Sequence, residues 1–248
     1  MTTTAQELRE IRIDDSDAPA LIARTIEEGD LVAINYTGSV YAFIFDVRNP
    51  IALEKAQNMK NRFRRSFTIH ADLDFIQMMV DWKKLNEKLS TILKDNRKVK
   101  KIFGAKYIVR IPIEPQKAEL YGVPPQLLGV EPEDKDTMHI ISMETGEYAN
   151  IQRAVLEALK ERNPDSPPLL GMSSFNNTGE GSQNDPTYSR ELALANNIPL
   201  LVHPAKYISG LSYDIVSFAD GNGWLILRSM DIEKSTRRLE QLLVKEGL

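Results

Sequence analysis

The chain has 248 residues, 42% of them hydrophobic and 27% charged, a formal net charge of −4 at pH 7, and no cysteine. Such a composition describes a globular protein with a sizeable core, not a disordered chain. The missing thiols exclude disulfides, thiolate metal sites and a cysteine nucleophile.

Residues 1–17 read as a polar, acidic N-terminal tail, without the basic start and apolar core of a secretory leader. Residues 18–28 form a helix pattern, with Leu21, Ile22 and Ile26 at helical spacing and Gly29 just past the end. Residues 30–35 hold a short buried strand, 37–39 a turn, and 40–46 (VYAFIFD) a central strand. Pro50 opens a helix that runs to about Lys60. Residues 67–70 are a strand and 74–94 one or two helices. Residues 107–113 (YIVRIPI) are a strand, and the proline-rich stretch 115–136 reads as an insertion. A strand at 137–143, a helix at 149–161 and a proline break at 164–168 follow. The strand at 169–172 leads into a polar loop, and a helix begins at Asp185-Pro186. Strands at 200–203, 212–218 and 224–228 precede a terminal amphipathic helix at 234–245. Strands and helices alternate, so the expected fold is α/β, a single twisted open mixed sheet with flanking helices. One domain over 18–232 is expected, with 233–248 as a C-terminal helix. No apolar run approaches about 18 residues, so no membrane span is expected and the cytoplasm is the default compartment.

Two polar segments carry chemistry. Lys60, Arg62, Arg64 and Arg65 place four cations within six residues at a helix end. Ser173, Ser174, Asn176, Asn177 and Thr178 offer hydroxyls and amides just after a strand. Cations beside a neutral hydrogen-bonding loop suit a phosphate- or carboxylate-bearing ligand. Each segment also has a plainer reading. Cations complement a helix C-terminus, and serine, asparagine and glycine make turns. His70, His139 and His203 are scattered and read as structural, so no metal site is expected. Neither a phosphate loop nor a dinucleotide fingerprint is present.

The order of elements and these motifs resemble the YrdC/YciO family over roughly residues 18–230. The residues that carry the resemblance are Tyr36-Thr37-Gly38-Ser39-Val40-Tyr41-Ala42 at a strand entry, Lys60-Asn61-Arg62, and Ser174-Phe175-Asn176 followed by Thr178-Gly179. Ser66-Phe67-Thr68-Ile69 and Ala71-Asp72-Leu73 look more like the YciO branch. The resemblance implies a YrdC-like fold and a nucleotide-binding protein related to the L-threonylcarbamoyladenylate synthases of tRNA modification. It implies a nucleotidyltransferase-type reaction with ATP as substrate and Mg²⁺ as its counter-ion. It marks Lys60, Arg62, Ser174, Asn176, Thr37, Ser39, Tyr41, Arg65 and Arg228 as ligand-binding positions. The implied partners are a nucleotide or phosphorylated small molecule, and tRNA or double-stranded RNA. Three departures stand against the pattern: Gly38 replaces an aspartate, Ile141 falls where an arginine is found, and Ser66 where a basic residue is found. They open two other readings, a non-catalytic RNA- or nucleotide-binding relative and a carbamoyl-transfer enzyme with another acceptor. Lys60 and Arg62, in a polar stretch, are expected at the surface.

Overall fold

A computed structural model describes residues 7–61, 67–70, 72–129, 136–142, 149–162, 169–208, 213–219 and 223–245. In chain order the elements are β1 (Arg9–Arg12), α1 (Ala18–Glu27), β2 (Val32–Ile34), β3 (Ala42–Asp46) and α2 (Pro50–Lys60). Then come β4 (Thr68–His70), α3 (Leu73–Met79), α4 (Glu87–Lys94), α5 (Asn96–Gly104), β5 (Tyr107–Pro112) and α6 (Pro115–Leu120). The last are β6 (Thr137–Ile141), α7 (Ala149–Arg162), β7 (Leu170–Ser174), α8 (Pro186–Ala195), β8 (Leu200–His203), β9 (Asp214–Ser217), β10 (Leu225–Arg228) and α9 (Ile232–Lys245). The class is α/β with mixed open sheet and flanking helices, as the alternation in the sequence implies.

The chain divides into two compact units. Met1–Phe63 and Asn150–Ser212 make the first, Arg64–Ala149 and Tyr213–Leu248 the second. Strand order in the first unit is β1-β8-β2-β3-β7. There β8 runs parallel to both β1 and β2, while β3 runs antiparallel to β2 and β7. Its central strands are buried on both faces, which is why 40–46 reads as an apolar run and not an alternation. Two local signals set its helices. Asn49 caps α2, accepting from the amides of Ile51 (3.0 Å) and Ala52 (3.3 Å). Ala52, Ala56 and Lys60 recur every fourth residue and face inward, so the period of α2 carries a lysine into the interior.

Strand order in the second unit is β4-β6-β5-β9-β10. β4 and β6 are parallel, as are β5 and β9; β5 with β6 and β9 with β10 are antiparallel. α4 buries Leu89, Ile92 and Leu93, and α5 buries Val99, Ile102 and Phe103, each at helical spacing. β10 ends the strand order. It turns Leu225 and Leu227 outward and its register with β9 shifts between Ile226 and Arg228.

Two expectations change. The stretch 1–17 contains β1, paired with β8. Its sequence, REIR, buries only Ile11, and one buried position carries no period. The stretch 115–136 contains α6 and a 3-10 turn at Pro125–Leu127, where proline begins each element as it can at a first helical turn. Among the described residues, no helix is long and apolar enough to cross a membrane.

Candidate functional site

The two polar segments of the first unit meet through Lys60. Its ammonium donates to the Asn176 backbone carbonyl and to Asn176 Oδ1, each at 2.7 Å, and lies 6.0 Å from the Phe43 ring centroid. Ser174 Oγ donates to the same Oδ1 at 2.6 Å. Asn176 Nδ2 donates to the carbonyls of Glu180 and Gly181, and the Thr178 hydroxyl returns to the Lys60 carbonyl. The amide of Asn176 is thus fixed at both ends, with oxygen toward the cation and nitrogen toward the loop. Lys60 is 1% exposed. This corrects the surface placement expected of it: a lysine stem packs against apolar groups while its head is held by oxygens. Glu180, at the far side of the loop, accepts from the hydroxyl of Tyr188 and from Asn177 Nδ2. The Tyr188 and Asn177 bonds, with the nearby Lys60 charge, hold its carboxyl below the usual range.

The strand entry joins the same region through the backbone. Phe175, between Ser174 and Asn176, donates its amide to the Tyr41 carbonyl at 2.9 Å, and Ala42 pairs with Ser174 in the β3–β7 register. Thr37 and Ser39 bond each other through their hydroxyls at 2.6 Å and are both buried. Between them Gly38 has φ +71°, and its carbonyl accepts from the Ile208 amide at 2.9 Å. A Cβ there would lie 2.2 Å from the Lys206 carbonyl oxygen. Glycine at this departure is therefore required by the segment packed on it. Tyr41 is fully buried, and its hydroxyl reaches His203 Nδ1 and Tyr207 Oη, each at 2.6 Å.

Lys60 and Ser174 are therefore joined through Asn176, with Tyr41 one backbone bond from Phe175 and Thr37 and Ser39 in the same segment as Tyr41. Arg62 and Arg65 lie outside the described residues. Arg228 is in the second unit, at the end of β10 opposite Ile215. Ile141 is wholly buried on β6, opposite His70 of β4. Sequence reasoning read His203 as structural and did not single out Glu10 or Tyr207, which with it bond to or through Tyr41. They fall on elements far apart in the chain and form no local motif. Among the described residues, no group of three or more His, Asp or Glu side chains is arranged to hold a metal ion.

No family profile and no curated protein sequence matches the chain. Solved structures do, and they define the class: the fold is YrdC-like. E. coli YciO superimposes with a TM-score of 0.63 at 17% identity, over 91% of this chain and 96% of that one. Sua5 of P. abyssi, in an alanine-substituted form, gives 0.67 at 16% identity over 93% of this chain. This chain spans 63% of that Sua5 chain, less than two thirds of its length. The same Sua5 complexed with L-threonine gives 0.65 at 16% identity, over 89% and 56% of the two chains. HypF in a phosphate- and nucleotide-bound form gives 0.59 at 16% identity, over 85% of this chain and 28% of that one. At these identities the likeness establishes the fold alone.

Proposed function

We propose that this chain binds a nucleotide or a related phosphate- or carboxylate-bearing ligand, as a YrdC/YciO-like relative of the L-threonylcarbamoyladenylate synthases. The observation that carries this reading is the bond of Lys60 to Asn176, whose Oδ1 also accepts from Ser174. It unites, across 116 residues of chain, the two motifs on which the resemblance rests. The amide and hydroxyl orient the ligand, while the lysine supplies positive charge and fixes the loop. Tyr41 borders the same loop through its backbone, and Thr37 and Ser39 are proposed with it on the resemblance. Arg62, Arg65 and Arg228 are proposed for phosphate on their chemistry. The reported forms of HypF with nucleotide and of Sua5 with threonine support this choice of ligands.

In the synthase reaction ATP, L-threonine and bicarbonate give threonylcarbamoyl-AMP and diphosphate. ATP brings Mg²⁺ with it as substrate. The protein's part is positioning and charge stabilisation. Gly38 favours a second reading, binding without efficient turnover or carbamoyl transfer to another acceptor. The close approach of Lys206 leaves no room for the carboxylate at that position. The deciding experiment measures ATP binding by calorimetry and diphosphate release with threonine and bicarbonate, for the natural chain and Ser174→Ala. Binding weakened several-fold by the substitution supports the ligand site. Binding indifferent to it overturns the site, and turnover matching an authentic synthase overturns the second reading.

An RNA partner, tRNA or a duplex, is proposed for the cations at the end of α4 and along α5, where Lys94, Arg97 and Lys101 are exposed. Arg97→Glu with Lys101→Glu should lower the salt dependence of RNA binding by about two counter-ions. An unchanged slope removes α5 from the interface.

A further inference from the structure

The bonds around His203 include more than packing requires. The β1–β8 register sets Glu10 opposite Leu201 and Arg12 opposite His203, so Glu10, Arg12 and His203 share one face. His203 Nε2 meets Glu10 Oε2 at 2.9 Å, and Arg190 Nε on α8 holds the other carboxylate oxygen at 2.8 Å. Partial burial raises the Glu10 carboxyl, but bonds from His203 and Arg190 outweigh it and keep the group below its ordinary value. An ionised carboxylate only accepts, so Nε2 donates to Glu10, and in the neutral imidazole the lone pair is then at Nδ1. Two phenols address that lone pair, Tyr41 Oη at 2.6 Å and Tyr207 Oη at 3.0 Å, and the phenols are 2.6 Å from each other.

The two phenols differ in one decisive respect. Tyr41 is 0% exposed and Tyr207 is 41% exposed. Burial pushes Tyr41 far above its usual range, with the bond to Tyr207 adding to it, so Tyr41 keeps its proton; given to Tyr207 Oη, that proton leaves His203 Nδ1 as acceptor for the Tyr207 hydroxyl. Tyr207 is the phenol that meets solvent, beside a base with an orienting carboxylate and a second hydroxyl. Arg12 adds positive charge on the same loop, donating to the Ala205 carbonyl at 2.9 Å. Asp14 and Asp15 face Arg12, and Asp185 acts on Tyr41.

We propose that Tyr207 is an activated nucleophile that accepts an acyl group from a donor with a good leaving group. His203 is its base, Glu10 orients His203, and Tyr41 holds the developing phenolate. Tyr207 Oη attacks the acyl carbon and an aryl ester bond forms. The bond from acyl carbon to leaving-group oxygen breaks, and the leaving group departs with its electron pair. The phenolic proton passes to His203 Nδ1, and Glu10 balances the imidazolium. Nucleophile, base and orienting carboxylate in bonded series are the recurring arrangement of covalent catalysis. This inference does not depend on nucleotide binding, and its assay contains no nucleotide.

The test treats the full chain with p-nitrophenyl acetate near neutral pH, follows nitrophenolate release, and locates acetyl groups by peptide mass spectrometry. Acetylation is expected at Tyr207 at least about ten-fold faster than at Tyr121, which is 38% exposed and lacks a histidine partner. Tyr207→Phe should remove that label. Glu10→Gln should slow it about ten-fold, with folding checked by near-ultraviolet circular dichroism. His203→Gln should move the pH dependence of labelling upward, toward that of an ordinary phenol. Labelling of Tyr207 and Tyr121 at equal rates overturns the proposal. So does a Tyr207 rate unchanged by Glu10→Gln in a folded protein, which remains readable even where His203→Gln fails to fold.

Discussion

Lys60 is the residue whose chemistry departs furthest from its appearance in sequence. In a run of four cations it reads as solvated, yet it is buried with two bonds to one asparagine. Its replacement by methionine keeps the stem's volume and removes the ammonium. The Asn176 carbonyl then loses a charged donor, at a cost of about 1–3 kcal/mol. The expected result is a lower melting temperature as well as weaker ligand binding. A variant as stable as the natural chain would show that Lys60 serves binding alone. His139 makes a second case. Burial, with the charges of Arg110 and Arg228 adding, lowers its imidazole from 6.5 to about 4. Arg110 stands directly opposite it in the β5–β6 register. The folded state therefore binds fewer protons than the unfolded one between these values. His139's contribution is whole above the ordinary histidine range and is lost as pH falls toward 4. The loss is on the order of 3 kcal/mol. Urea titrations at neutral pH and near pH 4.5 should differ accordingly, and His139→Gln should shrink the difference.

At the scale of elements, α2 delivers Lys60 to the loop after β7, and its start is set by Asn49. Asn49→Ala removes the acceptor for two helix amides and should cost about 1 kcal/mol, whereas Asn49→Asp should cost little. Thermal unfolding of the two variants checks this. The helices were legible because capping residues, proline in first turns and apolar spacing are local signals. So was β3, whose AFIFD run needs no alternation once both faces are covered. β1 was not legible, since its partner β8 lies some 190 residues further on and its own four residues bury one side chain. The loop after β7 was legible as a polar turn, and its reading as a ligand loop rests on the resemblance. The bond from Ser174 to Asn176 is local, but the arrival of Lys60 depends on the helical period meeting a strand register. The Tyr41–His203–Tyr207 cluster was invisible for the same reason. Its members are joined only after β8 lies between β1 and β2.

At the scale of the molecule, each compact unit is built from two separated stretches of chain. The polypeptide enters the first unit, leaves for the second, returns and leaves again. This keeps the two polar segments of the first unit distant in sequence, and it is why composition and local pattern give the fold class but not their meeting. The strand at the end of the order has a colloidal consequence. Among the described residues β10 has a strand neighbour on one side only and carries two outward leucines, the template on which chains add to one another as fibres or clumps. The shift in register after Ile226 and the cation of Arg228 at that point spoil the template by twisting and charging it. Arg228→Leu should therefore leave the melting temperature nearly unchanged but raise light scattering at high protein concentration. Clear solutions of that variant would leave anion recognition as the better account of the arginine.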